Sequence, residues 1–207
     1  MIHCHALQWG PARQPLTPPL DLHLPTGSFT AVTGANGVGK TSLLKVFAGL
    51  QKPLAGRVCV APGRVGYLVQ QQAIDRQFPI SLGELVAAGF WGQRLGRFAK
   101  AERLNAALAA WQLEGLAKLP LQAMSGGQLQ RALLARMSLT DAPLLLLDEP
   151  EANLDEAGQQ LLWGQLQRWQ GEGRTLLMVC HDLAAVQRLA RRQLALSRQC
   201  AELREVA

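Results

Sequence analysis

Cysteine is scarce and unpatterned: four in 207 residues, at Cys4, Cys59, Cys180 and Cys200, with no C-x-x-C pair and no zinc-ribbon spacing. That excludes a disulfide scaffold and a finger-type metal module, and leaves the expectation of reduced, buried thiols in a cytosolic chain. No apolar run approaches the ~20 residues a bilayer span needs. The first residues, Met1-Ile2-His3-Cys4-His5, supply neither a basic n-region nor an apolar h-region. Any membrane role has to come through a partner. Aromatics make up only 5% of the chain, with a single Tyr, and no Lys/Arg run is interleaved with them. The formal charge of +6 therefore does not read as a nucleic-acid surface. Its densest cluster, Arg188, Arg191 and Arg192, lies on a helix-like stretch with Leu183, Val186 and Leu189 opposite, and is expected to be a solvated face beside an anionic leaflet. His3 and His5 share one face of a strand, but two imidazoles do not make a zinc site. They are expected to face solvent from an edge strand.

What the chain does contain is Gly34, Ala35, Asn36, Gly37, Val38, Gly39, Lys40, Thr41, which fits G-x-x-x-x-G-K-[ST]. The run Phe29 to Thr33 ahead of it is short, apolar and β-rich. Behind it Leu43, Leu44, Phe47 and Leu50 recur at helical spacing, with Gly49 near the stop. Strand, loop and helix in that order are the context a phosphate cradle requires. Glycine lets the backbone wrap phosphate oxygens closely and aim successive N–H groups at them, and the helix N-terminus adds partial positive charge. Side chains at Gly37 or Gly39 are expected to block the wrap. Lys40 supplies a charge for the β/γ-phosphates, and Thr41, with Ser42 beside it, is placed at the Mg²⁺ position.

A second motif is Met124, Ser125, Gly126, Gly127, Gln128. Ser125 as N-cap and Gln128 at N3 make a capping box, with Met124 against Leu129 as its staple. Capping does not explain two glycines in the first turn, each of which costs helix propensity, so an anion close to that backbone is the natural reading. Downstream, Leu144 to Leu147 is a buried-strand run opened by Pro143, ending in Asp148 and Glu149 and closed by Pro150. Carboxylates there fall where open α/β sheets bind ligands. Asp148 suits Mg²⁺ and Glu149 suits the general base. Another strand-like run, Thr175 to Cys180, ends in His181 and Asp182.

Together these residues resemble the ATP-binding subunit of an ABC transporter over nearly the whole length. Gly34 to Thr41 matches Walker A, Ser125 to Gln128 the signature, Leu144 to Glu149 Walker B with its catalytic glutamate, Ala152 to Asp155 the D-loop, and His181 the switch histidine. Trp9 matches the aromatic that stacks on adenine. Gln70, followed by Gln71 and Gln72, matches the glutamine that reaches Mg²⁺ and the attacking water. Met124 stands where Leu is usual, a volume-conserving change. The resemblance implies an α/β fold: a P-loop, RecA-like parallel-sheet core with an antiparallel β lobe and an inserted helical subdomain. On that reading residues 1–71 and 142–207 form the nucleotide-binding core with its lobe, and 72–141 the helical subdomain. ATP and Mg²⁺ are the implied ligands. The implied partners are a second cassette, whose signature acts in trans, integral membrane permease subunits, and an extracytoplasmic substrate-binding protein, at the cytoplasmic face of the membrane.

Short alternating strands (Leu20, Leu22, Leu24; Val58, Val60) fit the lobe. Leu82 to Gly89 and Leu104 to Leu113 are amphipathic, and Ser81 with Glu84 makes another capping box, stapled by Ile80 and Leu85. The segment Asp75 to Gly92 resembles ATPases of zinc and manganese uptake. Siderophore or haem uptake is close kin, a compact haem exporter more distant, and a soluble ABC ATPase of DNA repair or translation a different class.

Overall fold

A computed structural model describes residues 1–11, 14–68, 74–180 and 189–205. They form two compact units.

The first unit, Met1–Tyr67, Ala142–Glu149 and Leu166 onward, contains two sheets. The smaller is antiparallel: β1 (Ile2–Gln8) lies between β2 (Leu20–Leu24) and β4 (Ala55–Val60). So His3 and His5 stand on a central strand, not on the expected edge. The larger sheet has the order β5 (Val65–Leu68), β6 (Leu144–Asp148), β7 (Thr175–Val179), β3 (Phe29–Gly34), β8 (Arg192–Leu196), β9 (Ala201–Glu205). Strands β6, β7, β3 and β8 run parallel, and β9 pairs antiparallel with β8. The central strands are buried at nearly every position on both faces, which is why they read as continuous apolar runs rather than alternations.

Helix α1 (Lys40–Phe47) follows β3 directly. Its Leu43, Leu44 and Phe47 join one apolar cluster with Trp9 and Leu22 from the small sheet and Leu146, Leu177, Val179 and Leu194 from the large one. A fully buried Leu or Phe is worth about 1.5–3 kcal/mol over an exposed one, so this cluster fixes where β3 ends and α1 begins. The phosphate loop is the chain between those two anchors.

Strand β1 contains a bulge. Its register against β2 and β4 slips between Cys4 and Leu7 and between His5 and Gln8, and Ala6 takes a left-handed φ of 46°. Gly56 opposite is at φ 77°, and a Cβ there would lie 2.1 Å from the Ala6 carbonyl oxygen, so only glycine accepts the bulge. The extra residue reverses the alternation: Ile2 and Cys4 point inward before it, Leu7 and Trp9 after it.

The second unit, Leu68–Asp141 with Pro150–Gln165, carries α2 (Leu82–Ala87), a 3₁₀ turn at Ala88–Phe90, α3 (Arg97–Ala110), α4 (Gly126–Ser138) and the start of α5 (Glu156–Gly171). Helix α3 begins seven residues before the expected Leu104 and ends at Ala110, where Trp111 caps it and Gln112 turns left-handed at φ 52°. Gly89 packs on α4: a Cβ would meet the Arg136 carbonyl oxygen at 2.4 Å. Arg103 forks onto both oxygens of Asp141 at 3.0 and 2.6 Å, with Phe90 beneath its guanidinium. Two expectations fail. Cys59 and Cys200 are exposed rather than buried, and Arg192 opens β8 instead of continuing a helix; Arg188 lies outside the described residues.

Candidate nucleotide site

The loop between β3 and α1 is a cradle built without side-chain caps. Gly34 has φ 149° and lies against the Leu196 carbonyl, where a Cβ would come within 2.3 Å. Ala35, Asn36 and Gly37 form an exposed rim, and Val38 turns inward as the loop's anchor. Gly37 is left-handed at φ 78° with nothing within 4 Å of a Cβ position, so it faces open space. Gly39, also left-handed at 97°, caps α1 with no side-chain hydrogen bond. The first-turn N–H groups of α1 thus have no side-chain acceptor, the arrangement that receives an anion. Lys40 is buried, and its Nζ donates to the carbonyl oxygens of Gly34 at 2.8 Å and Ala35 at 3.2 Å. It is folded onto the loop whose phosphate it would meet.

Trp9 is not where a base-stacking residue must be. It is fully buried, and its Nε1–H donates to the Gly39 carbonyl at 2.9 Å. The bulge at Ala6 turns it inward, where both of its faces are covered. Trp9 also explains Gly39: a Cβ there would lie 2.8 Å from Trp9 Nε1 and 2.7 Å from Leu16 Cδ1. Packing behind the loop is by itself enough to require glycine at position 39.

Asp148 ends β6 at 1% exposure, and neither carboxylate oxygen has a hydrogen-bond partner. Burial raises its pKa above the ordinary value; the Thr41 hydroxyl beside it opposes that without closing a well-formed bond, Glu149 adds to it, and Lys45 and Lys40 oppose it. A raised folded-state pKa means that the carboxylate's burial costs nothing in acid and destabilises the fold as pH rises past its unfolded value. Two buried, unpartnered carboxylate oxygens beside a threonine hydroxyl form an oxygen-only donor set, which suits a hard divalent cation. Tyr67 is pushed up to about 12, by burial first and then by Asp148, and stays neutral. Glu149 follows at φ 50° with its N–H on the Val179 carbonyl at 3.2 Å. That left-handed turn, costly for a non-glycine residue, turns the chain at the end of β6.

In the second unit, α4 begins with the predicted capping box. Gln128 N–H donates to Ser125 Oγ at 3.1 Å, and Ser125 N–H to Gln128 Oε1 at 2.9 Å. Met124 and Leu129 are both buried. Beside this turn sits Asn153, left-handed at φ 60°; Cβ atoms built on Gly126 and Gly127 would lie 3.6 Å from its Cβ and 3.2 Å from its carbonyl oxygen. Gln130, buried, donates to the Pro150 carbonyl at 2.7 Å, and Arg76 donates to the Met124 carbonyl. Gln130 and Arg76 were missed in the sequence, since side chains bonded to main-chain carbonyls leave no pattern, whereas Asn153 lies inside the Ala152 to Asp155 match. Asp155 accepts the Gly158 N–H at 2.8 Å, and its carbonyl takes the first bond of α5. It is the helix N-cap. Gln70 and His181 lie outside the described residues.

A glycine loop between a parallel strand and an uncapped helix, with a buried acid ending a strand of the same sheet, defines a P-loop nucleotide-binding protein. Comparison with known proteins narrows this. Residues 18–152 match the ABC transporter family, and the chain belongs to that family as one of its ATPase cassettes. The zinc import ATP-binding protein ZnuC of Cereibacter sphaeroides is 32% identical over 98% of this chain and 82% of its own length. The zinc transport system ATP-binding protein TroB of Treponema pallidum is 34% identical over 84% and 70%. Among solved structures, an ABC transporter described as metal-chelate type, in an inward-facing conformation, superposes with a TM-score of 0.83 at 27% identity, covering 99% of this chain and 83% of that one. Across eight similar curated relatives the matched part spans from 62% to 82% of their length.

Proposed function

We propose that this cassette hydrolyses ATP to drive import of a transition metal, zinc or manganese, through membrane permease subunits. The observation that carries the reading is the pairing, within one unit, of an uncapped phosphate loop with the buried, unpartnered Asp148. The cargo rests on relatives named for zinc and manganese transport and on the Asp75 to Gly92 segment, in which Phe78 is 58% exposed and Trp91 89% exposed.

In this reading the amides of residues 35–41 hold the phosphates, and Lys40 leaves its loop carbonyls to meet their charge. Thr41 and Asp148 would hold Mg²⁺, which neutralises developing charge on the phosphate oxygens when bound. Glu149 takes the proton of the attacking water, assisted by Gln70 and His181. Ser125, Gly126 and Gly127 face the γ-phosphate of a second copy, and hydrolysis opens that dimer. The cassette sits peripherally on the cytoplasmic face, and the permease receives cargo from an extracytoplasmic binding protein. A chelated metal is the second reading, favoured by the likeness to the metal-chelate type transporter.

Glu149→Gln tests the chemistry. It should leave ATP binding intact and lower turnover by roughly 10²- to 10⁴-fold, the worth of a positioned general base. Near-normal hydrolysis would overturn the assignment. For cargo, disruption of the chain should impair growth under zinc or manganese limitation; relief by haem or siderophore alone would favour the second reading.

A further inference from the structure

The solvent face of the small sheet carries five metal-ligating side chains: Cys59 on β4, across the ladder from His3, and four more on β1 and β2. Before the bulge, His3 and His5 both point outward, two residues apart on one strand, while Ile2 and Cys4 point into the core. Across the ladder His3 pairs with His23. The next outward position of β2 is Asp21, which binds His5. The result is a two-by-two block of three imidazoles and one carboxylate, all exposed. Facing residues in such a block have Cβ atoms about 4.5–5.5 Å apart, and alternate residues along a strand lie about 6.8 Å apart. Those spacings suit three imidazoles reaching one ion above the sheet.

Two of the three rings already meet. His3 and His23 approach with Nδ1 to Nδ1 at 2.9 Å and ring centroids 4.2 Å apart. Two imidazoles bound to one tetrahedral zinc at 2.0–2.1 Å place their nitrogens about 3.3 Å apart, so the pair lies within a few tenths of an ångström of ligand spacing. At present one ring donates a proton to the other. On binding an ion, the donating ring shifts that proton to its own Nε2, and both Nδ1 lone pairs become ligands. His5 shows a different preparation: its Nδ1 bonds Asp21 Oδ1 at 2.9 Å, and the same oxygen accepts the Ala6 N–H at 2.9 Å. A carboxylate on one ring nitrogen fixes the tautomer and leaves Nε2 as the ligand, as in carboxylate–histidine–zinc triads.

We propose that the outer face of β1 and β2 binds a divalent transition metal ion of the zinc type, through Nδ1 of His3 and His23 and Nε2 of His5, with Asp21 orienting His5. Among the described residues no three donors yet converge; the His5 and Asp21 pair must swing toward the other two rings. Both are solvent-exposed, with side chains at 85% and 69% exposure, so rotation displaces no packing and gives up only the bond from the Ala6 N–H to Asp21. Water completes the coordination. The site is separate from the phosphate loop and independent of the cargo reading.

Co²⁺, which reports geometry through its visible absorption, is the probe for the full chain stripped of metal and kept free of nucleotide. One Co²⁺ should bind with tetrahedral bands and be displaced by Zn²⁺. His3→Ala and His23→Ala should abolish the bands, and Asp21→Asn should weaken binding about 10- to 100-fold, the usual worth of a residue orienting a ligand. All three should keep the parent melting temperature and Mg-ATP affinity, since the side chains are exposed. Unchanged bands in the His3→Ala/His23→Ala double variant, bands lost in Cys59→Ser but kept in that double variant, or no Co²⁺ bound at millimolar concentration would each overturn the proposal.

Discussion

Three helices of this chain open in three ways. Helix α1 begins at Lys40 with no side-chain cap at all. Helices α2 and α4 begin with the same device, a serine and an acid or amide bonded reciprocally across the first turn. The two capped starts then diverge at their glycines. Gly83 in α2 is pressed on the Ala117 carbonyl, where a Cβ would lie at 3.0 Å, and its own N–H donates to that oxygen at 2.8 Å. Gly126 in α4 has ordinary contact distance to its nearest neighbour, 3.6 Å. Internal packing accounts for the first glycine and not for the second. A bare start needs a ligand to satisfy it, a capped and packed start needs none, and a capped start with an unforced glycine is stable alone while leaving room for something outside the chain.

The largest effect should come from the bare start. Lys40→Ala removes a charge-assisted contact worth about 1.5–3 kcal/mol, so ATP affinity should fall by about 10- to 150-fold in a binding titration without hydrolysis. The two carbonyls that Lys40 now satisfies border an exposed rim, so the melting temperature should hold. Unchanged affinity would break the comparison at its root, because α1 would then have no ligand to wait for.

The matched caps come next. Ser125→Ala and Ser81→Ala each delete the cap bond from the N3 amide, at 3.1 and 3.3 Å, and Ser81→Ala also deletes the Ser81 hydroxyl's bond to Glu84; each should cost about 1 kcal/mol in thermal or denaturant unfolding. Only Ser125→Ala should also slow ATP turnover beyond what that loss of stability explains. Equal turnover in both variants would reduce the α4 box to a helix start.

How far these features were legible depends on what fixes each of them. The phosphate loop and the β6 strand were readable because their chemistry constrains consecutive residues: glycine where φ is positive, an unbroken Leu run where both faces are buried, an acid at the strand's end. The capping boxes were readable for the same reason, since partners three apart leave a local signature. Trp9 was not. Its inward direction depends on one extra residue at Ala6, accepted because Gly56 across the ladder has no side chain, and strand periodicity counts residues without seeing bulges. His3 and His5 stand on a central strand beside His23 and Asp21 through sheet order and pairing, which the sequence of one strand does not carry. Asp155 matched a motif and proved to be a helix cap as well. Asn153, inside the same motif, proved to turn left-handed beside the α4 glycines.

The smallest effect, and the sharpest between the two capped helices, concerns the glycines. Gly126→Ala places a methyl at ordinary van der Waals distance from Asn153 and replaces a poor helix former, so unfolding free energy should rise by about 0.5–1 kcal/mol. Gly83→Ala presses its methyl on the Ala117 carbonyl at 3.0 Å, a backbone atom that cannot swing aside, and should lower stability despite the same gain in propensity. Activity should move the other way: turnover falls in the more stable Gly126→Ala and is kept per folded molecule in Gly83→Ala. Opposite signs in stability and activity at position 126 separate a glycine kept for a ligand from one kept for packing. If Gly126→Ala stabilises the chain and hydrolyses ATP at the parent rate, nothing approaches that turn, and the two helix starts are equivalent after all.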